Sequence, residues 1–165
     1  MKTNTIICPG CGVKLPIKNV AASPNHNASG ECQELFNELS GFTLSNNTKE
    51  FIHQYVVDAY GAQHAGLPAK NIRVAFSLIG LCLAVEHNYT GRQVQLVHMK
   101  IPKQIWPDLS PPALPAKITI WNVITATSDQ EKFTVINEWT KSVWHSWSTY
   151  HEYIRNICMP YSRLF

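Results

Sequence analysis

The chain has few charged residues, and they are spread along its whole length. Lysine and arginine together number 14, against 11 aspartates and glutamates, which gives a formal net charge of +3 over 165 residues. A dedicated nucleic-acid-binding protein usually carries a basic stripe or cluster. No such cluster is present here, so we do not expect nucleic acid as the partner.

Long apolar runs are also missing. The longest one, from Val74 to Val85, has the length of a core helix and is too short to span a membrane. The first residues are too poor in apolar side chains for an export signal. We therefore predict a cytoplasmic protein without a membrane segment, and the 45% hydrophobic content is enough for a packed core.

The sequence also lacks the motifs of the common enzyme classes. We find no glycine-rich phosphate loop, no nucleophile elbow and no HExxH zinc-hydrolase motif. Internal repeats and low-complexity tracts are absent as well. The missing motifs make the case for catalysis weak. The length of the chain and the absence of repeats predict a single domain over residues 1–165.

Five cysteines are present, an odd number that disfavours a framework built only from disulfides. In a reducing cytoplasm, thiols that are close together favour metal binding. Cys82 and Cys158 lie within apolar helical patterns, and we interpret them as small core residues. Cys8, Cys11 and Cys32 remain to be explained.

The segment Cys8-Pro9-Gly10-Cys11-Gly12 is typical of half a zinc site, because its glycines let the backbone turn tightly around two thiolates. Cys32 follows in the first turn of a predicted helix, where free amides and the helix dipole favour a thiolate. The arrangement resembles a treble-clef knuckle that lacks its second helical ligand. A structural zinc site has four ligands, so the fourth has to come from elsewhere in the chain.

Three histidines are candidates for that fourth ligand: His26, His53 and His64. A water molecule in an open site is the alternative. His53 and His64 lie on the same side of a predicted helix but about 16 Å apart along its axis, so they cannot bind one ion together. Iron is compatible with the same donor set as zinc.

The hydrophobic periodicity predicts a mainly α protein, an antiparallel helical bundle with a loop-rich N-terminal zinc-knuckle module. The first helix is capped by Ser29 and ended by Gly41. A second helix starts at Asn47. A third covers residues 68–87 and is apolar nearly all round, which places it at the centre.

The second half of the chain is less regular. Prolines predict an irregular loop near 88–116, and residues 117–126 are ambiguous between a strand and a helix. Ser128 and Glu131 form a capping box that opens one long final helix. We therefore predict that a zinc-knuckle module, residues 1–40, packs on a helical bundle, residues 47–165.

Two ionisable side chains in helical stretches are candidates for a site. Asp58 lies among apolar residues, and it can support a metal-bound histidine or act as a general base. We favour a structural role for Asp58, either a salt bridge or a helix–helix hydrogen bond to an arginine such as Arg73 or Arg155. His151 borders the apolar seam of the last helix, where it can face a pocket, although a hydrogen-bonded position within the bundle is favoured.

Most of the chain, in the right order, resembles an uncharacterised bacterial family of unknown function. The shared elements are the CPxCG turn, the helix start before Cys32, the segment Val57-Asp58-Ala59-Tyr60-Gly61-Ala62-Gln63-His64, the Leu78-Ile79-Gly80-Leu81 helix, Trp106-Pro107, and Trp139 through His151. The resemblance implies an architecture and no reaction. It makes His64 the first choice for the fourth ligand. A histidine of the family pattern is replaced here by Ser77.

Our leading hypothesis is a zinc-binding helical protein whose metal is structural and whose role is to bind an unknown protein or small-molecule partner. Residues that can line a pocket or support the metal are Asp58, Tyr60, Gln63, Trp147 and His151, with Trp139 and Trp144 in the same interior. One alternative is a metal-dependent hydrolase or transferase in which Asp58, His64 and His151 converge on an open zinc site. A nucleic-acid-binding zinc ribbon is a less favoured alternative.

Overall fold

The computed structural model describes residues 4–165, so the first three residues of the predicted 1–40 module lie outside it. The described part is mainly helical, as predicted, with a small two-stranded sheet that was not predicted. The elements are β1 (Thr5–Ile7), β2 (Lys14–Pro16), α1 (Gly30–Ser45), α2 (His53–Gln63), α3 (Asn71–Glu86), α4 (Gly91–His98), α5 (Ile120–Ile124), α6 (Asp129–Ser146) and α7 (His151–Cys158). The antiparallel-bundle arrangement and the division into two modules remain predictions.

β1 and β2 form an antiparallel hairpin in which Ile6 lies opposite Leu15. The turn between the strands is closed by the amide of Cys8, which donates to the carbonyl of Val13 at 2.9 Å. Gly12 has a φ of 75°, a left-handed conformation that favours glycine. Strands of three residues are too short to show an alternating pattern, which is why the sequence did not reveal them.

The N-terminal end of α1 agrees with the prediction, since the Ser29 hydroxyl accepts a hydrogen bond from the amide of Cys32 at 3.2 Å. The predicted end at Gly41 is wrong, because the helix continues to Ser45. A glycine inside a helix costs about 1 kcal/mol relative to alanine. That is too little to end a helix whose next turn contributes a buried residue, Thr43.

α2 begins six residues later than predicted, at His53 instead of Asn47. Asn47 and Phe51 have φ values of 54° and 59°, which are incompatible with a right-handed helix. The carbonyl of Phe51 lies against Gly91, where any larger side chain would collide with it. The apolar spacing in this segment therefore reflects a turn packed on a neighbouring helix.

α3 is buried nearly all round, as predicted for a central helix, although it begins at Asn71, three residues after the predicted start. It runs antiparallel to α2 and very close to it. A Cβ atom added at Gly61 would collide with Ser77, and one added at Gly80 would collide with the carboxyl group of Asp58. Two glycines therefore permit the close approach of these helices.

The predicted irregular loop near 88–116 is partly wrong, because α4 lies within it. Thr90 and Gln93 form a capping box at its start. The prolines begin only at Pro102, so nothing in the sequence prevented a helix before that residue. The ambiguous segment 117–126 contains the short helix α5.

The predicted single final helix is divided into α6 and α7 by a 3₁₀ turn, Ser148–Tyr150. Ser128 caps α6 as predicted, by accepting from the amide of Glu131 at 3.1 Å. At the break, the imidazole Nε2 of His151 lies 2.8 Å from the carbonyl oxygen of Trp144. The amide of Trp147 donates to the same carbonyl at 3.0 Å, so the side-chain bond adds a second hydrogen bond at the interruption. None of the helices among the described residues combines the length and the apolar character needed to cross a membrane.

Candidate metal centre

Three separate parts of the fold bring four potential metal ligands together. Cys8 and Cys11 lie in the hairpin turn, Cys32 lies in the first turn of α1, and His64 directly follows α2. Their ligand atoms all lie within 4.8 Å of one another. None of the four residues is more than 6% exposed. The group can hold a metal ion.

The spacing within the group suits a tetrahedral ion. The sulfur atoms of Cys11 and Cys32 are 3.8 Å apart, and the sulfur of Cys32 is 3.4 Å from Nε2 of His64. Zinc–sulfur bonds of about 2.3 Å and zinc–nitrogen bonds of about 2.0–2.1 Å at tetrahedral angles correspond to edges of about 3.8 Å and about 3.6 Å. Only small shifts would be needed to coordinate zinc.

The imidazole of His64 is oriented before any metal binds. Its Nδ1 donates to the carbonyl of Tyr60 at 2.8 Å, which leaves the lone pair of Nε2 directed at the thiols. Gly10 lies against the ring, and a Cβ atom there would be 2.6 Å from Cδ2 of His64. The amide of Asn27 donates to the carbonyl of His64 at 2.9 Å.

The three thiols compete for one negative charge. Hydrogen bonds from Cys11 and Cys32 lower the pKa of Cys8 strongly, which favours the thiolate form of Cys8. The hydrogen bond with Cys32 lowers the pKa of Cys11, whereas the hydrogen bond with Cys8 raises it, as does burial. The net effect raises the pKa of Cys11 to about 12. The hydrogen bond with Cys11 raises the pKa of Cys32. The hydrogen bond with Cys8 raises it further, and so does burial. A cation would let further thiols ionise, with release of protons.

The predicted thiolate-favouring position of Cys32 is therefore outweighed by its neighbours in the absence of a cation. Its own amide is bonded to the cap, Ser29, and the hydroxyl of Tyr60 lies 3.7 Å from its sulfur. Burial raises the pKa of Tyr60, which remains a neutral hydrogen-bond donor. These polar groups around the sulfur are typical of the surroundings of a metal-bound thiolate.

Of the three candidate histidines, His64 is the one that lies with the thiols. Nδ1 of His26 is 3.4 Å from the hydroxyl of Ser23, and its ring packs edge-on against Tyr60. His53 opens α2, at the opposite end from His64, and its Nδ1 is 2.8 Å from the hydroxyl of Thr43. The structure places neither in the metal group.

The salt bridge favoured for Asp58 is not formed. Oδ1 of Asp58 accepts from the side-chain amide of Gln54 at 3.0 Å, and Arg155 pairs with Glu86 at 2.6 Å. Arg73 lines a cavity together with Asp58 but forms no ion pair with it. Burial raises the pKa of Asp58 well above its ordinary value. The raised pKa favours the neutral carboxyl group, which avoids a buried unpaired charge.

Asp58, His64 and His151 do not converge on a common cleft. The ring of His151 stacks on Trp144 at 3.9 Å, and Trp144 donates to Glu86 at the C-terminal end of α3. His64 follows the end of α2 that lies beside the N-terminal part of α3. His151 and His64 are thus at opposite ends of the α2–α3 pair, contrary to the hydrolase hypothesis.

The tryptophans that we considered as pocket walls are buried in the core, although Trp147 also lines a cavity of about 140 Å³ beside Pro111 and Tyr150. Trp139, Trp144 and Trp147 are each at most 1% exposed. Nε1 of Trp139 donates to the side-chain oxygen of Gln63 at 2.8 Å, and Gln63 donates in turn to the carbonyl of Ile118 at 2.8 Å. Gln63 therefore ties α2 to α6 instead of facing a ligand.

A second group of ligand-type atoms, which the sequence did not suggest, comprises Cys82, Glu86 and His87. Its carboxylate is already engaged by Arg155, and two of its three residues are only partly buried. Exposed acidic groups of this kind are common without a metal. We assign no role to it.

A model of a protein family, described as a family of unknown function (DUF5946), matches residues 6–148. The chain belongs to this family. The DUF5946 match runs from β1 to the turn after α6 and includes all four residues of the metal group, whereas α7 lies beyond it. Comparison with curated proteins and with solved structures gave no match.

Membership of DUF5946 assigns no role to any residue, so the candidate site depends on its geometry. The sequence analysis missed two residues that shape it. Asn27 connects the loop before α1 to the end of α2, and Gly10 leaves room for the ring of His64. A glycine between the two cysteines was visible in the sequence, but its contact with a residue 54 positions later was not.

Proposed function

We propose that the protein binds one zinc ion through Cys8, Cys11, Cys32 and His64, and that this ion is structural. The observation that carries the proposal is the buried set of three thiols and one pre-oriented imidazole at tetrahedral spacing. Structural zinc sites have four protein ligands and no open position. A set of four donors that are almost inaccessible to solvent fits that class.

The physical role of the ion is to attach the hairpin and the loop before α1 to the helices. Two strands of three residues cannot form a stable unit alone. One ion would connect the hairpin turn, α1 and the end of α2 at a single point. Small modules without a core of their own commonly depend on a metal in this way.

Because a closed metal site has no open coordination position, the functional surface of the protein lies elsewhere. We infer that the protein binds a small-molecule or protein partner. The separation of His151 from His64 counts against an open catalytic zinc site. All five cysteines are buried and none forms a disulfide, which is consistent with a reducing compartment, so we infer a cytoplasmic location.

The test is the metal content of the purified protein, compared with that of His64→Ala and Cys32→Ser. Cys82→Ser is the matched control, because it also removes a fully buried thiol but lies outside the group. We expect one zinc per chain in the wild type and the control, and a loss of zinc in both ligand variants. Full zinc content in either ligand variant, or none in the wild type, would contradict the proposal.

Cobalt provides a second readout if a variant folds poorly. Wild-type protein loaded with Co²⁺ should show the intense visible bands of a tetrahedral site and a sulfur-to-metal charge-transfer band. His64→Ala protein loaded in the same way should lose the tetrahedral intensity while it keeps the charge-transfer band. Octahedral spectra in the wild type would rule out the closed site.

A further inference from the structure

A second polar site lies between α2, α3 and α4, away from the metal group. A cavity of about 180 Å³ opens there. The polar residues that line it and matter here are Gln54, Asp58, Arg73, Ser77 and His98. An adjoining hollow of about 440 Å³ shares Gln54 and His98 with it and adds Arg92. Three helices thus contribute polar side chains to these two neighbouring cavities.

Two buried polar atoms of this lining have no partner within residues 4–165. They are Oδ2 of Asp58 and Nε2 of His98. Asp58 is only 3% exposed, so solvent does not compensate for the missing hydrogen bond. An unsatisfied buried polar group costs about 1–3 kcal/mol. Such groups are uncommon in native proteins, and these two show that the hydrogen bonding around the cavity is incomplete.

The charge of the cavity lining is positive. Arg73 is exposed at its edge, and no carboxylate in the described part of the chain pairs with it. Burial raises the pKa of Asp58 well above its ordinary value, which favours the uncharged form. Burial lowers the pKa of His98 to about 4, and that of His26, which closes another side of the cavity, also to about 4. Arg73 is therefore the charge that remains near neutral pH.

The charge of the residues that line the adjoining hollow is also positive. Arg92 stacks over the ring of Phe51 at 4.5 Å and donates to the side chain of Gln95 at 2.9 Å. Neither contact neutralises the guanidinium. A cation would meet two arginines in the cavity and the adjoining hollow, and the one carboxyl group there, that of Asp58, has a raised pKa that favours its neutral form. Asp58 and His98 are also not part of any group of three metal-ligand atoms within 4.8 Å among the residues described.

We propose that the cavity binds a small anion through its carboxylate or phosphate group, with Arg73 pairing with the charge and with Ser77 donating a hydrogen bond from the interior. Arginine is well suited to both groups, because its fork of N–H donors matches their oxygen atoms. The proposal rests on the binding role inferred above and not on the zinc ion.

The probes are inorganic phosphate and acetate, each titrated into the zinc-loaded protein and followed by NMR, with sodium chloride at equal ionic strength as the reference. We expect one of the two anions to give saturable shifts at the amides that line the cavity. Arg73→Ala should raise the Kd at least about tenfold, because a charge-assisted hydrogen-bonded pair is lost. Ser77→Ala should also weaken binding.

Lys70→Ala is the matched control, because it removes a positive charge one turn earlier at the same end of α3 without lining the cavity. It should leave the Kd within about twofold of the wild type. Equal weakening in both charge variants would overturn the proposal, and so would a response to neither anion beyond that to chloride. A response to phosphate alone or acetate alone identifies which group is bound.

Zinc content measured on the same samples separates the two proposals. Protein with one zinc per chain and no anion response would refute the anion site alone. Anion binding by protein that holds no zinc would refute the structural metal alone.

Discussion

Replacing Asp58 with asparagine should make the stability of the protein less dependent on pH. Asp58 is 3% exposed, its Oδ1 accepts from Gln54 at 3.0 Å, and the carboxyl group lies against Gly80. Asparagine has nearly the same shape and keeps an oxygen for the bond from Gln54. The main difference is that asparagine cannot ionise.

The sign of the effect follows from the raised pKa of Asp58 in the folded protein, compared with 3.8 as its ordinary value. The neutral carboxyl group stabilises the fold fully below the unfolded pKa, and this contribution is lost as the pH rises towards the folded pKa. Within that window the unfolded chain binds one proton fewer than the folded chain. The free energy of unfolding of the wild type should therefore fall by about 1.4 kcal/mol per pH unit relative to the variant.

For a chain of this length, 1 kcal/mol corresponds to about 2–4 °C in Tm. The Tm of the wild type should thus fall by about 3–6 °C per pH unit relative to that of Asp58→Asn. Thermal melts of both proteins in the same series of buffers, upward from about pH 4, measure the difference directly. All other titrating groups are common to both proteins and cancel.

The surface variant Asp108→Asn is the control, because Asp108 is exposed and its replacement also removes one carboxylate. Its Tm should follow that of the wild type across the series. A constant difference in Tm between the wild type and Asp58→Asn would refute the reasoning, because it would mean that Asp58 titrates alike in the folded and unfolded chains.

Two further substitutions test the packing around the candidate site. Gly10→Ala places a Cβ atom 2.6 Å from Cδ2 of His64, so zinc affinity in a chelator competition should fall and the free energy of unfolding should drop by about 1–3 kcal/mol. Gly41→Ala is the control, because a Cβ atom there has nothing within 4 Å and should stabilise α1 by roughly 0.5–1 kcal/mol. Equal effects of the two substitutions would contradict this reasoning. Gln63→Leu leaves the indole N–H of Trp139 unpaired, so urea unfolding should show a loss of about 1–3 kcal/mol, and an unchanged midpoint would contradict that role.

Part of the candidate metal centre could be predicted from the sequence because its chemistry is local. Two cysteines in a glycine-containing turn are recognisable from spacing alone, and so is Cys32 just after a serine cap. The choice among three histidines was different, because it depended on which helix end lies beside the hairpin. The resemblance to a family favoured His64, and the structure brings that residue to the thiols.

The errors in the helix boundaries have a common physical origin. Gly41 and Asn47 were interpreted from average preferences worth about 1 kcal/mol or less per residue. Contacts with other elements outweigh such preferences. The turn at Phe51 packs on Gly91, and the break after α6 is stabilised by the stacking of His151 on Trp144. Neither contact leaves a periodic signal in the sequence.

The sequence by itself determined the helical class, the caps at Ser29 and Ser128 and the thiols of the knuckle, because these depend on neighbours a few residues apart. Only the tertiary structure decided the partners of distant side chains. It placed His64 beside Cys32, 32 residues earlier, and Gln63 beside Trp139, 76 residues later. It also left Asp58 without an arginine. Helix periodicity shows which face is buried, but the packing of helix on helix decides which side chains meet there.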